Sequence, residues 1–214
     1  MSLRISLLGA PHITRDGHVE QPRGNKAWGL LAYLVRMTIP APREQLAGLL
    51  FPNAHDPLAA LRWSLTELRR VLGGRAVVAG DPLRLVLPPA TFVDVDVLTR
   101  GSWVEVIQLP ELGQDLLGGV TFPKSPGFQL WLDSERRHLS AAVEALLHEA
   151  ALACIARDEP DRAADHATQL VGINPFDENY QTLLVRSLSL TGDTAAANRQ
   201  AAACAELFRT ELGV

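Results

Sequence analysis

The chain contains only two cysteines among its 214 residues, Cys154 and Cys204. They lie far apart, and each stands among alanines and leucines in a segment with helical periodicity. Free cysteine is among the most often buried residues, so both side chains are predicted to be small core hydrophobes rather than a redox pair. No disulfide framework is indicated, and this cysteine content is typical of a reducing cytoplasm.

The sequence also lacks the motifs of the common enzyme and cofactor sites. It has no GxxxxGK(S/T), GxSxG, HExxH or GxGxxG pattern. Its six histidines are scattered, and none has a second ligand at a useful spacing. The spacing of Asp94, Asp96, Glu105 and Glu111 fits no calcium-binding loop. We therefore expect no enzymatic activity, no cofactor and no metal site.

Long apolar segments are missing as well. No uninterrupted apolar run reaches the roughly 18 residues that suggest a membrane span. The first residues, MSLRISLLGAP, lack the apolar core and the cleavage site of a signal peptide. We therefore expect no membrane span and a cytoplasmic protein. At 214 residues with 47% hydrophobic side chains, the chain is long enough for two compact domains.

Positive charge is scarce in the second half of the chain. Residues 1–100 hold 12 Lys/Arg and 8 Asp/Glu, whereas residues 101–214 hold 8 Lys/Arg and 16 Asp/Glu. Contacts to phosphate supply most nonspecific affinity for DNA, so a DNA-binding domain concentrates cations. A DNA-binding surface is therefore predicted in the first half, and the acidic second half is better suited to a protein partner.

The segment DPLAALRWSLTELRRVLGG, from Asp56 to Gly74, is predicted to form one helix with two different faces. Leucines recur at the spacing of a single buried stripe, namely Leu58, Leu61, Leu65, Leu68 and Leu72. The solvent-facing arc of the helical wheel carries Ala59, Arg62, Trp63, Thr66, Arg69 and Arg70. Asp56 and Glu67 are placed on the flank of this arc. A basic face beside a leucine stripe is what a DNA-recognition helix requires, although ordinary solvated helices also have one.

The neighbouring segments predict a winged helix-turn-helix around this helix. In order, they are a strand over Leu3–Gly9, a hairpin turn at Asp16-Gly17, helices over Asn25–Met37 and Arg43–Phe51, and a second hairpin over Ala76–Ala79 and Leu83–Leu87. The Gly80-Asp81-Pro82 turn divides the last two strands. This second hairpin is predicted to be a wing that reaches the DNA backbone or the minor groove.

The second half is predicted to be helical. A long amphipathic segment runs from Pro126 to Asp158, and shorter helices follow it. The sequence compared with itself shows an offset of 34 residues, which aligns Ala163 with Ala197 and Ala167 with Ala201. This period, with small residues at fixed places, is typical of TPR repeats. Such a stack presents a face to a partner protein or only packs against the first domain.

Segments in both halves resemble SARP-like regulators, the Streptomyces antibiotic regulatory protein family. LLGAPHITRDG, NKAWGLLAYLV, REQLAGLLFP and LRWSLTELRRVLGG are similar to an OmpR-type winged helix. FVDVDVL, GQDLLGGVTFPKSPGFQLWLDSERRHL, INPFDENYQTLLVRSL and ELGV are similar to the bacterial transcriptional activator domain. The order and spacing of these segments carry the resemblance over essentially the whole chain.

The resemblance implies an α+β N-terminal winged helix-turn-helix followed by an all-α TPR-like helical repeat domain. It implies a DNA-binding domain over residues 1–90, a linker with short helices over 91–125, and the activator domain over 126–214. Members of the family bind specific DNA sequences and recruit RNA polymerase at direct repeats. The chain is therefore expected to bind double-stranded DNA, as a pair of copies, and to contact RNA polymerase or another protein through its repeats.

The resemblance also implies which residues contact DNA. The recognition-helix pattern is matched by four residues, which are Arg62, Thr66, Arg69 and Arg70. Arg43 matches a position that meets the phosphate backbone. Trp63 lies on the same arc and is expected to stack on a sugar or to pack against a neighbouring copy. The predicted DNA-binding residues are Arg43, Arg62, Trp63, Thr66, Arg69, Arg70 and Arg84.

Three positions depart from the family pattern. Glu67 stands where the family often has a basic residue, Ala60 where it often has Asn, and Phe51 where it usually has Trp. The first two remove a cation and an amide near the DNA. They leave open an alternative in which the chain is a protein-interaction or regulatory module of a larger signalling protein with weak or lost DNA binding. A further alternative is a regulatory fragment of an enzyme whose catalytic part lies beyond Val214.

Overall fold

The structure of the chain is a computed structural model that describes residues 2–37, 39–74 and 76–212. Its residues form two compact units, Met1–Arg100 with Leu109–Ser140, and Gly101–Gln108 with Ala141–Val214. In chain order the elements are β1 (Leu3–Ser6), β2 (His12–Arg15), β3 (His18–Glu20), α1 (Asn25–Arg36), α2 (Arg43–Leu50), α3 (Pro57–Leu72), β4 (Val77–Ala79), β5 (Arg84–Val86), β6 (Phe92–Val93), α4 (Asp94–Arg100), α5 (Trp103–Val106), α6 (Pro126–Ala156), α7 (Pro160–Ile173), α8 (Glu178–Leu190) and α9 (Thr194–Leu212).

A four-stranded sheet opens the first unit. Its order is β3-β2-β1-β6, with β2 antiparallel to both neighbours and β6 parallel to β1. Asp16 and Gly17 connect β2 to β3 with φ angles of 50° and 84°. Positive φ at both positions is what a two-residue hairpin turn requires, so the predicted turn is confirmed. Ile5 and Ile13 pair across the sheet and are fully buried, which places them in the core of this unit.

Helix α3 has the boundaries and the buried stripe that its sequence predicts. The Asp56 carboxylate accepts a hydrogen bond from the backbone N–H of Ala59, and Gly73 ends the helix with a φ of 80°. Four of the five predicted leucines are buried, namely Leu61, Leu65, Leu68 and Leu72. Leu58 is 37% exposed, and its predicted burial is wrong. It lies in the first turn of the helix and at the edge of the stripe, about 60° from Leu61 on the wheel.

The two-stranded hairpin of β4 and β5 is the predicted wing. Val78 pairs with Leu85 in an antiparallel register. The turn that joins the strands returns towards the start of α2, because the backbone N–H of Leu83 donates to the carbonyl of Ala41 at 2.9 Å. Leu83 is fully buried. The wing is therefore anchored to the helices at its turn as well as at its base.

An aromatic cluster extends the core of the first unit into the beginning of α6. The rings of Phe122 and Phe128 lie 4.6 Å apart, and those of Tyr33 and Trp131 lie 4.8 Å apart. Arg36 of α1 donates to the Glu135 carboxylate at 2.8 Å. Residues 109–140 thus pack with the winged helix in the first unit. The domain boundaries at residues 90 and 125, which the sequence analysis proposes, stay predictions.

The second unit consists of α5, the remainder of α6, and the helices α7 to α9. Helix α8 packs against both α7 and α9, and the connections between these helices are short. Ala163, Ala167 and Ala197 are buried, as the predicted repeat requires. Ala201, the repeat equivalent of Ala167, is exposed on α9. It lines a groove between α8 and α9 together with Thr182, Val185 and Phe208.

Helix α6 is long and apolar enough, by length and composition, to cross a membrane. Its most apolar window has a mean hydropathy of 1.6, and one third of that window is buried. The expectation from the sequence concerns an uninterrupted apolar run, which this helix does not contain, because Glu144 and Glu149 lie within it. Core helices of water-soluble proteins pass the same test, so a single helix of this kind is weak evidence for a membrane span.

Gly29 of α1 is the point where the aromatic cluster approaches the backbone most closely. A Cβ atom there would lie 2.8 Å from Phe122 and 2.9 Å from Phe128. Gly29→Ala is expected to lower the free energy of unfolding by about 1–3 kcal/mol, because the rings must shift. Gly48→Ala is the matched control, since a Cβ atom at Gly48 of α2 meets nothing within 4 Å. Urea denaturation that shows equal stability for both variants would contradict this packing.

Candidate nucleic-acid interface

One face of α3 is exposed from Arg62 to Arg70. Every polar or aromatic residue predicted for the solvent-facing arc is exposed, namely Arg62, Trp63, Thr66, Arg69 and Arg70. The burial of the leucine stripe orients this face, because the exposed residues lie opposite the stripe on the helical wheel. The predicted orientation of the helix is therefore confirmed. The contact of these side chains with DNA stays a prediction.

Arg62 and Thr66 lie one turn apart at the centre of this face. The Arg62 side chain is 62% exposed, and its closest ionic partner is Asp56 at 3.6 Å. Such a distant and solvated ion pair holds an arginine only weakly. The Thr66 hydroxyl donates to the backbone carbonyl of Arg62 at 3.0 Å. Arg62 is therefore the arginine of α3 that is most available to an external ligand.

Trp63 stands at one flank of the exposed face. Half of its surface is exposed, at 50%. The outer edge of its six-membered ring lies beside Gly24, where a Cβ atom would come within 3.8 Å of the ring. Gly24 precedes α1 and has a φ of 79°. The indole is thus supported on one side by the turn before α1 and open to solvent on the other.

Arg69 connects α3 to the wing. Its Nε and Nη2 atoms both donate to the backbone carbonyl of Val78 in β4, at 3.1 and 2.7 Å. Two hydrogen bonds from one charged guanidinium to one carbonyl are a strong and directional contact. Arg69 therefore fixes the position of the wing relative to the recognition helix, in addition to any role towards DNA.

Arg43 makes the corresponding contact from α2. Its Nε atom donates to the carbonyl of Gly80 at 2.8 Å, and its backbone N–H donates to the Asp81 carboxylate at 3.0 Å. Asp81 thus lies at the N-terminus of α2, where negative charge is favourable. Arg43, which is expected to meet a DNA phosphate, is bound in this structure to the turn of the wing.

Arg70 belongs to a network on the flank that also carries Trp63, two helical turns earlier. Its Nη2 atom donates to the carbonyl of Gln21 at 2.8 Å and to the Glu67 carboxylate at 3.0 Å. The backbone N–H of Arg23 donates to the same Glu67 oxygen at 3.0 Å. Glu67 is only 7% exposed, although the sequence predicts it on the flank of the solvent-facing arc. It holds the segment before α1 against α3, which sequence periodicity does not reveal.

The hydrogen bonds to Glu67 favour its charged form. The Arg70 side chain, followed by the backbone N–H of Arg23, lowers the pKa of the Glu67 carboxyl below its usual value. Burial acts in the opposite direction but is the weaker effect. The carboxylate is therefore ionised at neutral pH and binds Arg70 as a charged pair.

Arg84 and Arg23 are two of the exposed arginines that lie outside α3. Arg84 begins β5 on the wing and is exposed, at the rim of a cavity of about 420 Å³ that Met37 and Ile39 also line. Arg23 is exposed in the segment before α1. Arg23 is not among the residues predicted from the sequence, because a loop residue has no periodic signal. In the structure its backbone N–H donates to Glu67 of α3.

Asp94, one of the four acidic residues whose spacing fits no calcium-binding loop, has a structural role. The buried Asp94 carboxylate accepts hydrogen bonds from the backbone N–H groups of Leu7, Leu8 and Val95. Burial raises the pKa of Asp94 while these bonds oppose the shift. Within residues 2–37, 39–74 and 76–212, no group of three or more His, Cys, Asp or Glu side chains is placed to hold a metal ion.

The fold and this exposed helix define the class of a winged-helix regulator with a helical second unit. The family described as the bacterial transcriptional activator domain matches residues 95–214, which is more than half of the chain. The chain therefore belongs to this family. The predicted resemblance to SARP-like regulators is confirmed. No curated protein sequence matches the chain.

A solved structure shows the same architecture. The chain is similar to Mycobacterium tuberculosis EmbR, solved in complex with a low-affinity phosphopeptide, with a TM-score of 0.67 and 19% sequence identity. The similarity covers 99% of this chain and 61% of the EmbR chain. At this identity the likeness is one of fold. It confirms the predicted winged helix followed by a helical repeat domain.

The network around Glu67 leads to a prediction about stability and pH. A carboxyl whose pKa is lower in the folded state stabilises the fold at neutral pH, and this contribution disappears as the pH falls through the folded-state pKa. Glu67→Gln is therefore expected to lower the melting temperature at pH 7. The difference from the wild type should shrink as the pH falls below about 4, where glutamates become protonated.

Glu149→Gln is the control for this experiment, because Glu149 is an exposed glutamate of α6 that lies away from both helix ends. It should change the melting temperature little at any pH. A difference between Glu67→Gln and the wild type that persists unchanged down to pH 3 would show that the charge of Glu67 is not the cause.

Proposed function

We propose that the chain is a sequence-specific DNA-binding transcriptional activator that inserts α3 into the major groove of double-stranded DNA. One observation carries the proposal, which is the continuous exposed face of Arg62, Trp63, Thr66, Arg69 and Arg70 on a helix whose opposite face is buried. The major groove is about 12 Å wide and admits one α-helix. The proposal gives the chain no catalytic step, no cofactor and a cytoplasmic location.

The arginines divide into two roles in this proposal. Arg62 contacts a base edge or a phosphate directly, and Thr66 lies beside it at the centre of the face. Arg43 and Arg69 are positioning residues, since both hold the wing by hydrogen bonds to its backbone carbonyls. Arg70 positions the segment before α1 in the same way. Exposed Arg84 contributes a phosphate contact from the wing, where its charge attracts the DNA backbone.

The charge distribution supports DNA binding by the first half of the chain. Residues 1–100 hold four more cations than anions, whereas residues 101–214 hold eight more anions than cations. A phosphate surface repels the second group and attracts the first. The proposal therefore assigns DNA binding to the winged helix, and it leaves the acidic helical repeats to a protein partner.

Arg62→Ala tests the direct contact. It should weaken binding to a specific duplex by about 1–3 kcal/mol if Arg62 contacts a base, and it should relax the preference at that base. If the contact is to phosphate, binding should weaken on all sequences, and the slope of log K against log salt should fall by about 1. Fluorescence anisotropy on duplexes recovered from fragmented genomic DNA measures both quantities.

Arg100→Ala is the matched control for this measurement. Arg100 is 70% exposed and has an aspartate partner, Asp96, at 3.9 Å, so it resembles Arg62 in everything except its place on α4. It should bind DNA as the wild type does. Equal affinities of the wild type, Arg62→Ala and Arg100→Ala would remove α3 from the DNA-binding surface.

The proposal includes two copies of the chain on repeated half-sites and a contact with RNA polymerase. Membership in the bacterial transcriptional activator domain family supports the polymerase contact. Paired copies of helix-turn-helix proteins bind half-sites about one helical turn, 10–10.5 base pairs, apart. The acidic helical repeats then contact RNA polymerase or another protein beside the promoter.

Transcription with purified RNA polymerase tests this part of the proposal. On a template with two half-sites one turn apart, the chain should raise transcript yield. An insertion of about 5 base pairs between the half-sites should abolish the increase, because it places the copies on opposite sides of the duplex. Unchanged activation after this insertion would contradict pairing of copies. Binding without any activation would contradict the polymerase contact.

A protein-interaction or regulatory module with weak or lost DNA binding is the second candidate. It is favoured by the guanidinium groups of Arg43, Arg69 and Arg70, which already donate to groups within the chain. EmbR was solved in complex with a phosphopeptide, so a peptide ligand belongs to this candidate. The similarity covers 61% of the EmbR chain and does not assign that peptide to the shared part. DNA affinity that is independent of salt and of Arg62 would favour this candidate.

A further inference from the structure

The exposed face of α3 is largely apolar over its first ten residues, Pro57 to Thr66. Arg62 is the only cation in this stretch. The other side chains on this part of the exposed face are the half-buried Ala59 methyl group, the Trp63 indole and Thr66. The N-terminal half of a recognition helix is the part that meets base edges. An apolar surface at this place therefore bears on which bases the protein selects.

Thr66 adds to the apolar character although it carries a hydroxyl. Its hydroxyl proton is donated to the carbonyl of Arg62, one turn earlier. The side chain therefore has a methyl group but no free donor to offer a base. Ala59, Trp63 and Thr66 lie at spacings of four and three residues, which makes them neighbours on the helix surface. We call these three residues the apolar patch.

The indole of Trp63 also carries a hydrogen-bond donor, its Nε1–H group. In the described ranges of the chain, no residue accepts a hydrogen bond from its Nε1–H. The edge of the ring remote from Nε1 rests beside Gly24, and half of the residue is exposed. A wide aromatic surface and an unused donor are thus presented together on the side of α3 that is proposed to enter the groove.

Among the four bases, thymine has the groups that complement this arrangement. It alone presents a methyl group in the major groove, and its O4 acceptor lies next to that methyl. Guanine and adenine present acceptors without a methyl, and cytosine presents a donor. We propose that the apolar patch, with Trp63 at its centre, is a specificity-determining surface that recognises the C5-methyl group of thymine. This inference rests on the proposed function, since it requires α3 to lie in the major groove.

The two ends of the recognition helix have different roles. The apolar patch and Arg62 select bases, whereas Arg69 and Arg70 near the C-terminal end hold the wing and the segment before α1. The preferred sites therefore contain at least one thymine in each half-site. Loss of the methyl group at that thymine weakens binding even though base pairing and all hydrogen-bonding groups are unchanged.

Replacement of thymine by deoxyuracil tests the inference, because it removes the methyl group alone. Sites are first selected from random-sequence duplexes with the full chain, and each thymine is then replaced in turn. In each half-site, there should be one thymine whose replacement weakens wild-type binding about fourfold. This factor corresponds to the free energy of burying one methyl group. Trp63→Ala should bind the thymine and deoxyuracil sites equally.

Two more variants show what the indole contributes. Trp63→Phe keeps an apolar ring without the N–H donor, so it should stay sensitive to the deoxyuracil replacement. Leu130→Ala is the control, since it removes an exposed apolar side chain from α6 and should behave as the wild type. Circular dichroism establishes that each variant keeps the helical content of the wild type.

The outcomes distinguish this inference from the proposed function. Selected sites that the wild type binds equally with thymine or deoxyuracil at every position would overturn the inference and leave DNA binding intact. Equal sensitivity of the wild type and Trp63→Ala would overturn it as well, because the methyl contact would lie elsewhere. A selection that enriches no sequence would overturn the proposed sequence-specific function and, with it, this inference.

Discussion

The buried leucine stripe of α3 is the constraint on which the rest of the candidate site depends. Leu61, Leu65, Leu68 and Leu72 are almost fully buried, and a helix cannot rotate about its axis without exposing them. Burial of one such side chain stabilises a fold by about 1.5–3 kcal/mol, so the orientation of α3 is strongly determined. Arg62, Trp63 and Thr66 face outward because these leucines face inward.

The wing depends on a second constraint, which is the need of its backbone carbonyls for donors. Arg69 satisfies the carbonyl of Val78, and Arg43 satisfies that of Gly80. Arginine suits this role because its guanidinium offers several donors in a fixed plane. The same cations also raise the positive potential around α3. A single residue type thus builds the recognition surface and gives it the charge that attracts a nucleic acid.

The elements of the fold follow from local signals, and the contacts between them do not. Leucine spacing and the Asp16-Gly17 turn predict the positions of α3 and the first hairpin from the sequence, because each signal acts within a few residues. The Asp56 cap at the start of α3 is found only in the structure. The burial of Glu67 and the hydrogen bonds of Arg43 join residues that are remote in the chain. A helical wheel does not distinguish one solvent-facing arginine from another. The structure shows that Arg62 has only a distant ion pair, whereas Arg69 is hydrogen-bonded to the wing.

A photo-crosslink from the recognition helix tests the account most directly. A benzophenone amino acid in place of Thr66, in the full chain bound to a selected duplex, should form adducts with bases in the major groove of each half-site. The same group in place of Leu130, which is exposed on α6, should form none. A chain that binds the duplex but yields no base adducts from the position of Thr66 would contradict the placement of α3 in the groove.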